Sequence, residues 1–413
     1  MKTNLVFRYA LRSLGRHGRR TFLSILGIGI GCGLCIFVVG FVRGERGMMI
    51  RAAANSGIGH MRVVPAEWQQ TRDDDLRLDN WRGLRDTLAA HPHVETVAPR
   101  ARGGALLAFG VRTSGVEIVG VDPDVEQKAN RLVQGVETGR YLQAEDENTV
   151  VIGKTISERL DVTLDDDLML TMAGKDGQIQ GAMLRIVGIV ETGSRELDAS
   201  VCHITLQTFI DISQIEGAGE LTLLVDDIEQ LQTIADDIES RLPEDIAVMT
   251  WDGLMPELAS GVEIDKTWTR MVVGIITLVV FLGIASAQLA AVLERRREFA
   301  VLAAIGMKNG RLLSTMLLEG AVLGLAGGLL GLLLGGPITW FTARRGIDFT
   351  SMYGGMDLTM SNVLIDPVFY PEFGWWVVPL SMGLALFAAL LSAVYPAWYA
   401  IRTDPATALR VDQ

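Results

Sequence analysis

TFLSILGIGIGCGLCIFVVGFV, Thr21–Val42, runs for 22 residues without a single charged side chain. A helix needs about 20 apolar residues to cross roughly 30 Å of hydrocarbon, so this stretch is long enough to span a bilayer. Nothing comparable follows until Met271–Leu293, and then Leu312–Phe341 and Trp375–Ala400 come in quick succession. The core of a cleaved secretory signal is about 7–15 apolar residues, so the first run reads as an uncleaved anchor. One run, a long polar block at residues 43–270, and then three runs describe a membrane protein with a large domain outside the bilayer.

Charge decides which side that domain faces. The whole chain of 413 residues carries a net charge of −12, but residues 43–270 hold 22 Lys+Arg against 40 Asp+Glu. Basic residues gather beside the runs instead: Lys2, Arg8, Arg12, Arg16, Arg19 and Arg20 before the first, then Arg295, Arg296, Arg297, Lys308 and Arg311 between the second and third. Short loops rich in Lys and Arg stay in the cytoplasm. Both termini and the second-to-third loop are therefore expected inside, and the acidic block outside. No basic face lies away from the membrane, which excludes nucleic acid as a partner. The lipid bilayer is the solvent for the rest.

The expected fold is an integral membrane α-helical protein with four transmembrane helices and a large α+β periplasmic domain inserted between helices 1 and 2. Its divisions are a cytoplasmic amphipathic segment 1–20, helix 1 at 21–42, the periplasmic core domain 43–270, helix 2 at 271–293, and a cytoplasmic segment 294–311. Helix 3 follows at 312–341, a periplasmic loop at 342–374, helix 4 at 375–400 and a cytoplasmic tail at 401–413. Within the core domain, alternation predicts strands at Val94–Ala98, Gly104–Phe109, Val116–Gly120, Thr149–Ile152, Leu168–Thr171 and Met183–Val190. Trp81–Ala90 and Ile156–Leu160 read as helices. Ile228–Leu242, with Ile228, Leu231, Ile234, Ile238 and Leu242 on one face, predicts an amphipathic helix between strands Leu221–Val225 and Ile246–Thr250. Trp375 and Trp376 are expected at headgroup depth in an aromatic belt.

Signals for chemistry are sparse. Gly153-Lys154-Thr155 looks like the end of a phosphate-binding loop, but Asn148 stands where the earlier glycine is required. It reads instead as a strand-to-helix turn. Asp73–Asp75, Asp165–Asp167 and Asp226–Asp227 lack the alternating ligands of a calcium loop and read as solvated turns. Cys32 and Cys35 lie inside the first apolar run and read as small packing residues. Neither a catalytic nor a metal-binding set emerges from the five histidines, and no cofactor is expected on this chain.

The membrane runs say more. Gly27, Gly29, Gly31 and Gly33 form two interleaved GxxxG pairs, and Gly324 and Gly328 sit in a third run rich in glycine. Small residues let helix backbones approach within van der Waals contact, either inside one subunit or between two. Glu319, an ionisable group inside the third run, is either functional or paired near the inner interface. The segment ERRREFAVLAAIGMKNGRLLSTMLLEG (Glu294–Gly320) predicts a short helix from Arg297 to Ile305, closed by Gly306 in a left-handed cap. Its apolar side, Phe299, Leu302 and Ile305, needs a protein groove to receive it.

These words resemble those of the FtsX/MacB-like permeases, the membrane subunits of type VII ABC transporters. The cytoplasmic segment resembles the coupling-helix region of that family. YPAWYAIRTDPATALR (Tyr395–Arg410) resembles its closing signature through Pro396, Ala397, Ala400, Asp404, Pro405, Ala408 and Leu409. The outer stretch containing VEIVGVDPDVE, VVIGKTISERLDV and LRIVGIV resembles its MacB-like periplasmic core domain. The resemblance implies a dimer with a second permease copy or paralogue, served by a cytoplasmic ABC ATPase dimer that supplies ATP and Mg. It further implies a periplasmic adaptor or lipoprotein carrier, and maps ATPase contact onto Arg297, Glu298, Phe299, Leu302, Ile305 and Gly306. The implied function is mechanotransmission that drives lipoprotein or amphiphile extraction or efflux. The alternative is a non-transporting FtsX-like regulator of a periplasmic cell-wall hydrolase.

Overall fold

The computed structural model describes residues 18–192, 194–294, 309–350, 358–360, 363–365 and 368–402. They fall into two compact units. One comprises residues up to Glu45, Glu263–Ile347 and Phe369 onward; the other comprises Arg46–Val262 and Asp348–Val368. In chain order the principal helices are α1 (Gly18–Ala53), α2 (Trp81–Ala89), α3 (Pro123–Ala129), α4 (Lys154–Leu160), α5 (Leu206–Ser213), α6 (Leu231–Glu239), α7 (Pro256–Glu294), α8 (Asn309–Arg345) and α9 (Val377–Arg402).

Among the described residues four helical stretches are long and apolar enough to cross a membrane: Thr21–Ala53, Ala259–Glu294, Leu313–Arg345 and Val377–Val394. Two of the underlying helices overshoot the apolar runs that announce them. α1 continues past Val42 to Ala53 through Arg43, Glu45, Arg46 and Arg51, residues that hydropathy rejects but that favour helix by propensity. α7 begins at Pro256, well before Met271. Proline suits the first helical position because its fixed φ is already helical and its missing N–H would have no partner there.

Beside a two-stranded ribbon of Leu358–Met360 and Val363–Ile365, the second unit holds one large sheet. Among the described residues its strands are β1 (Met61–Pro65), β2 (Val94–Phe109), β3 (Arg112–Val121), β4 (Val136–Gly139), β5 (Thr149–Gly153), β6 (Asp167–Ala173), β7 (Ile179–Val190), β8 (Cys202–Thr205), β9 (Glu220–Val225) and β10 (Ile246–Thr250). Their order is β10-β1-β9-β2-β3-β8-β5-β7-β4, with β6 pairing both β2 and β7. The strands expected at Val94–Ala98 and Gly104–Phe109 prove to be one. β2 runs unbroken for 16 residues, pairing β9 along its first half and β6 along its second. β9, α6 and β10 form the expected β-α-β unit, but β1 lies between the two strands and pairs antiparallel with each.

The helix expected over Ile228–Leu242 is shorter, Leu231–Glu239. The Asp227 carboxylate accepts the Glu229 N–H at 2.9 Å and so holds the preceding residues in a turn. The inward face, Leu231, Ile234, Ala235 and Ile238, is buried as the periodicity requires. Gly153 is the turn between β5 and α4. A Cβ there would collide with the Asp198 carbonyl, so glycine is set by close backbone approach and not by a phosphate. Lys154 pairs with Glu191.

The acidic runs are satisfied locally. Asp73 Oδ1 accepts the Asp75 N–H at 2.9 Å, and Asp166 accepts the Thr163 N–H at 2.7 Å. Trp375 is 84% exposed, whereas Trp376 is only 9% exposed and packs with Ile36 and Val377. The pair is therefore split: Trp376 belongs to the helix bundle, with the Arg43 guanidinium 4.8 Å from its ring.

Candidate coupling site

Arg297, Glu298, Phe299, Leu302, Ile305 and Gly306 lie outside the described residues; α7 ends at Glu294 before them and α8 begins at Asn309 after them. The glycines are described. A Cβ on Gly33 would stand 3.2 Å from the Gly335 nitrogen of α8, and one on Gly29 2.8 Å from Leu330. Gly31 faces Val280 of α7. On the other side of α8, a Cβ on Gly324 would meet the Ala385 carbonyl at 2.9 Å, and one on Gly328 the Ala385 Cβ at 3.0 Å. The buried Ser381 hydroxyl donates to the Gly328 carbonyl at 2.7 Å, an interhelical bond of the kind that holds helices together in lipid. These five glycines thus meet helices of their own chain, whereas a Cβ on Gly27 has nothing within 4 Å. Cys32 packs in the same seam, against Gly331.

Two further glycines, Gly40 and Gly44, form another GxxxG pair, at the outer end of the first apolar run. They admit the backbone of Tyr370–Glu372: the Glu372 N–H donates to the Gly40 carbonyl at 2.7 Å, and Arg43 pairs with the Glu372 carboxylate at 3.2 Å.

The core domain holds a second unannounced feature, a buried charge network at the point where α1 ends. After Ala53 the backbone makes a wide turn, Ala54–Ile58, in which Gly57 has φ +89°; Gly59 follows at φ +80°. Both values lie where L side chains are strained, which is why glycine stands there. Arg100 is 1% exposed. Its Nε and Nη2 grip the two Glu126 oxygens at 2.9 Å each, and its Nη1 donates to the Gly57 carbonyl and to Thr222 Oγ1. Arg62 donates Nε to the Ile58 carbonyl at 3.0 Å and Nη1 to Glu220 at 2.9 Å. Arg102 bridges Glu220 and Glu117 at 3.1 and 3.0 Å.

Burial alone would raise the Glu220 carboxyl, but Arg102, Arg62 and Arg100 override it and hold the group at about 2. For Glu126 burial pushes the same way, and Arg100 reverses it to a net lowering. Burial lowers His203 to about 4 against the opposing charge of Glu126, and its Nδ1 lies 2.8 Å from the Tyr141 hydroxyl. A cavity of about 300 Å³ adjoins the network, lined among others by Trp68, His203, Leu254 and Met255. The other described histidines hold structural partners: His91 with Asp237, His93 with Asp226, and His60, whose Nδ1 accepts the Val225 N–H. The arrangement fixes backbone.

Residues 21–241 match the MacB-like periplasmic core domain, and residues 270–405 match the FtsX-like permease C-terminal region. The chain belongs to the FtsX/MacB-like ABC transporter permeases. The permease is 24% identical over 415 residues to the lipoprotein-releasing system transmembrane protein LolC of Xylella fastidiosa (strain 9a5c), with 97% of each chain covered. It is 26% identical over 425 residues to the macrolide export ATP-binding/permease protein MacB 2 of Aeromonas hydrophila, covering 97% of this chain and 60% of that one. The solved periplasmic region of MacB from Actinobacillus actinomycetemcomitans aligns with 49% of the permease at 14% identity and a TM-score of 0.36.

Proposed function

We propose that this permease is the membrane subunit of an ABC transporter whose separate cytoplasmic ATPase dimer hydrolyses ATP, and that it passes the resulting movement to its periplasmic domain. The work done there is extraction of lipoproteins or another amphiphile, or their efflux. The observation that carries this reading is the end-to-end match to a lipoprotein-releasing transmembrane protein, 97% of both chains. MacB 2, whose name joins ATP binding to the permease, extends well beyond the aligned part.

In this reading the four apolar helices all span the inner membrane, with termini and the α7–α8 connection in the cytoplasm. The core domain is inserted between the first two. Phe299, Leu302 and Ile305 seat in an ATPase groove, with Arg297, Glu298 and the Gly306 cap shaping the approach. ATP and Mg belong to that partner. A second permease copy or a paralogue completes the dimer, and a periplasmic adaptor or lipoprotein carrier receives the cargo.

The glycine seams support transmission. Where Gly33 and Gly335 bring the backbones of α1 and α8 into direct contact, no compressible side chain lies between them. Copurification tests the assignment: the permease is expected to bring down an ABC ATPase whose hydrolysis rises on adding lipoprotein. Phe299→Asp or Leu302→Asp should abolish both. Retention of the complex and its stimulated hydrolysis in these variants would overturn the coupling assignment. Stimulation by a cell-wall hydrolase and none by lipoprotein would turn the reading to a regulator.

A further inference from the structure

Two arginines and two glutamates, Arg62, Arg100, Glu126 and Glu220, buried in one domain are an expensive way to make it stable. Apolar residues of similar volume in place of buried ion pairs often serve stability as well or better. What the network does beyond charge balance is specific: it captures two backbone carbonyls, those of Gly57 and Ile58, at the one turn that ends α1. Within that turn the Gly59 N–H donates to the Ala54 carbonyl and Ser56 Oγ to the Ala52 carbonyl, but Ser56 and Gly57 have left the helical conformation, and the Gly57 and Ile58 carbonyls are taken by the arginines.

The captured turn is joined to the parts of the domain with the longest reach. Arg100 belongs to β2, the 16-residue strand that pairs β9, β3 and β6. Its partner Glu126 sits on α3, where Asn130 Nδ2 donates to the same carboxylate at 2.8 Å and its amide lies against Gly57. Glu220, shared by Arg62 and Arg102, belongs to β9. The chain's exit is tied to the same place: the Trp251 N–H, just after β10, donates to the His60 carbonyl at 3.1 Å.

We propose that Arg100, with Glu126, and Arg62, with Glu220, form a rigid joint that locks the end of α1 to the core sheet, so that displacement of the helix moves the sheet without slack. Arg100 and Arg62 are positioning residues for coupling. The proposal rests on the transmission reading above, and the test separates the two.

The full permease in complex with its ATPase receives spin labels at Val111→Cys and Trp375→Cys, both well exposed, while the three native cysteines are buried. Pulsed dipolar spectroscopy compares the distance without nucleotide and with ATP trapped by a hydrolysis-deficient ATPase. In the otherwise native joint the distance distribution shifts with ATP. In Arg100→Met/Glu126→Met, which removes both charges and leaves neither unpaired, at least half of that shift disappears, while ATPase binding and basal hydrolysis remain. Arg100→Lys keeps the charge on Glu126 but cannot hold both Glu126 oxygens and the Gly57 carbonyl. It gives an intermediate loss, and carries the test if the double variant does not accumulate. An unchanged shift in the variants overturns the joint and leaves transmission standing; no shift in the native protein overturns transmission itself, and the joint with it.

Discussion

Gly335→Ala is the sharpest perturbation of the membrane unit, because its neighbour supplies the control. A Cβ on Gly335 would lie 2.6 Å from the Cα and the carbonyl oxygen of Gly33, whereas ordinary contact begins near 3.4 Å. α1 and α8 would have to separate by about 0.8 Å at that point, and the obstacle is backbone, which cannot rotate aside. A Cβ on Gly336 meets only Leu332 Cδ1 at 4.0 Å. Both substitutions gain the same helix propensity, up to about 1 kcal/mol, so that term cancels between them. Overpacking costs about 1–3 kcal/mol, and Gly335→Ala should be less stable than Gly336→Ala by that amount. Denaturant unfolding of the detergent-solubilised permease, followed by tryptophan fluorescence, measures it. Equal stability of the two variants would refute the seam.

Three other outcomes follow from named groups. His60 and His203 are each lowered to about 4 by burial, His60 with added repulsion from Arg51 and His203 against the pull of Glu126. The unfolded chain therefore binds more protons than the folded one between about pH 6.5 and 4. Stability should fall as pH drops through that window, on the order of 3 kcal/mol per histidine, and go on falling below it as Glu220, held at about 2 in the fold, binds its proton more readily in the unfolded chain; thermal melts of a His203→Gln variant should show a smaller fall between about pH 6.5 and 4. Gly153→Ala places a methyl on the Asp198 carbonyl and should cost several kcal/mol or prevent accumulation, whereas Gly104→Ala, with nothing within 4 Å of its Cβ, should be tolerated. Ser381→Ala removes the donor to the Gly328 carbonyl between α8 and α9 and should destabilise the bundle by about 0.5–2 kcal/mol in the same unfolding assay.

Hydropathy made the membrane runs readable, since Thr21–Val42 and its three successors exceed what a soluble core helix needs. Their outer limits were not readable. Arg43, Glu45, Arg46 and Arg51 end a hydropathy window but continue a helix, because propensity and transfer energy rank those residues oppositely. β2 looked like two strands because Pro99 and Gly103–Gly104 are strand breakers by composition. In the fold Pro99 keeps its place in the ladder opposite Leu221, and Gly103 lies against Met172 and Phe209. The buried network was invisible for a different reason. Arg62 and Glu220 stand 158 residues apart and Arg100 and Glu126 stand 26 apart, so each reads as a surface charge until the sheet brings it inside. Trp375 and Trp376 show the converse limit: adjacent identical residues carry one composition signal, but one is exposed and the other packs into the bundle.

Reconstitution tests the central claim most directly. The permease and its ATPase are placed in proteoliposomes loaded with a fluorescent triacylated lipoprotein, and transfer to a soluble periplasmic carrier is followed with and without ATP. The account predicts release that requires ATP and this permease, and that Phe299→Asp abolishes. ATP hydrolysis that proceeds at the same rate with and without lipoprotein, with none released, would contradict it.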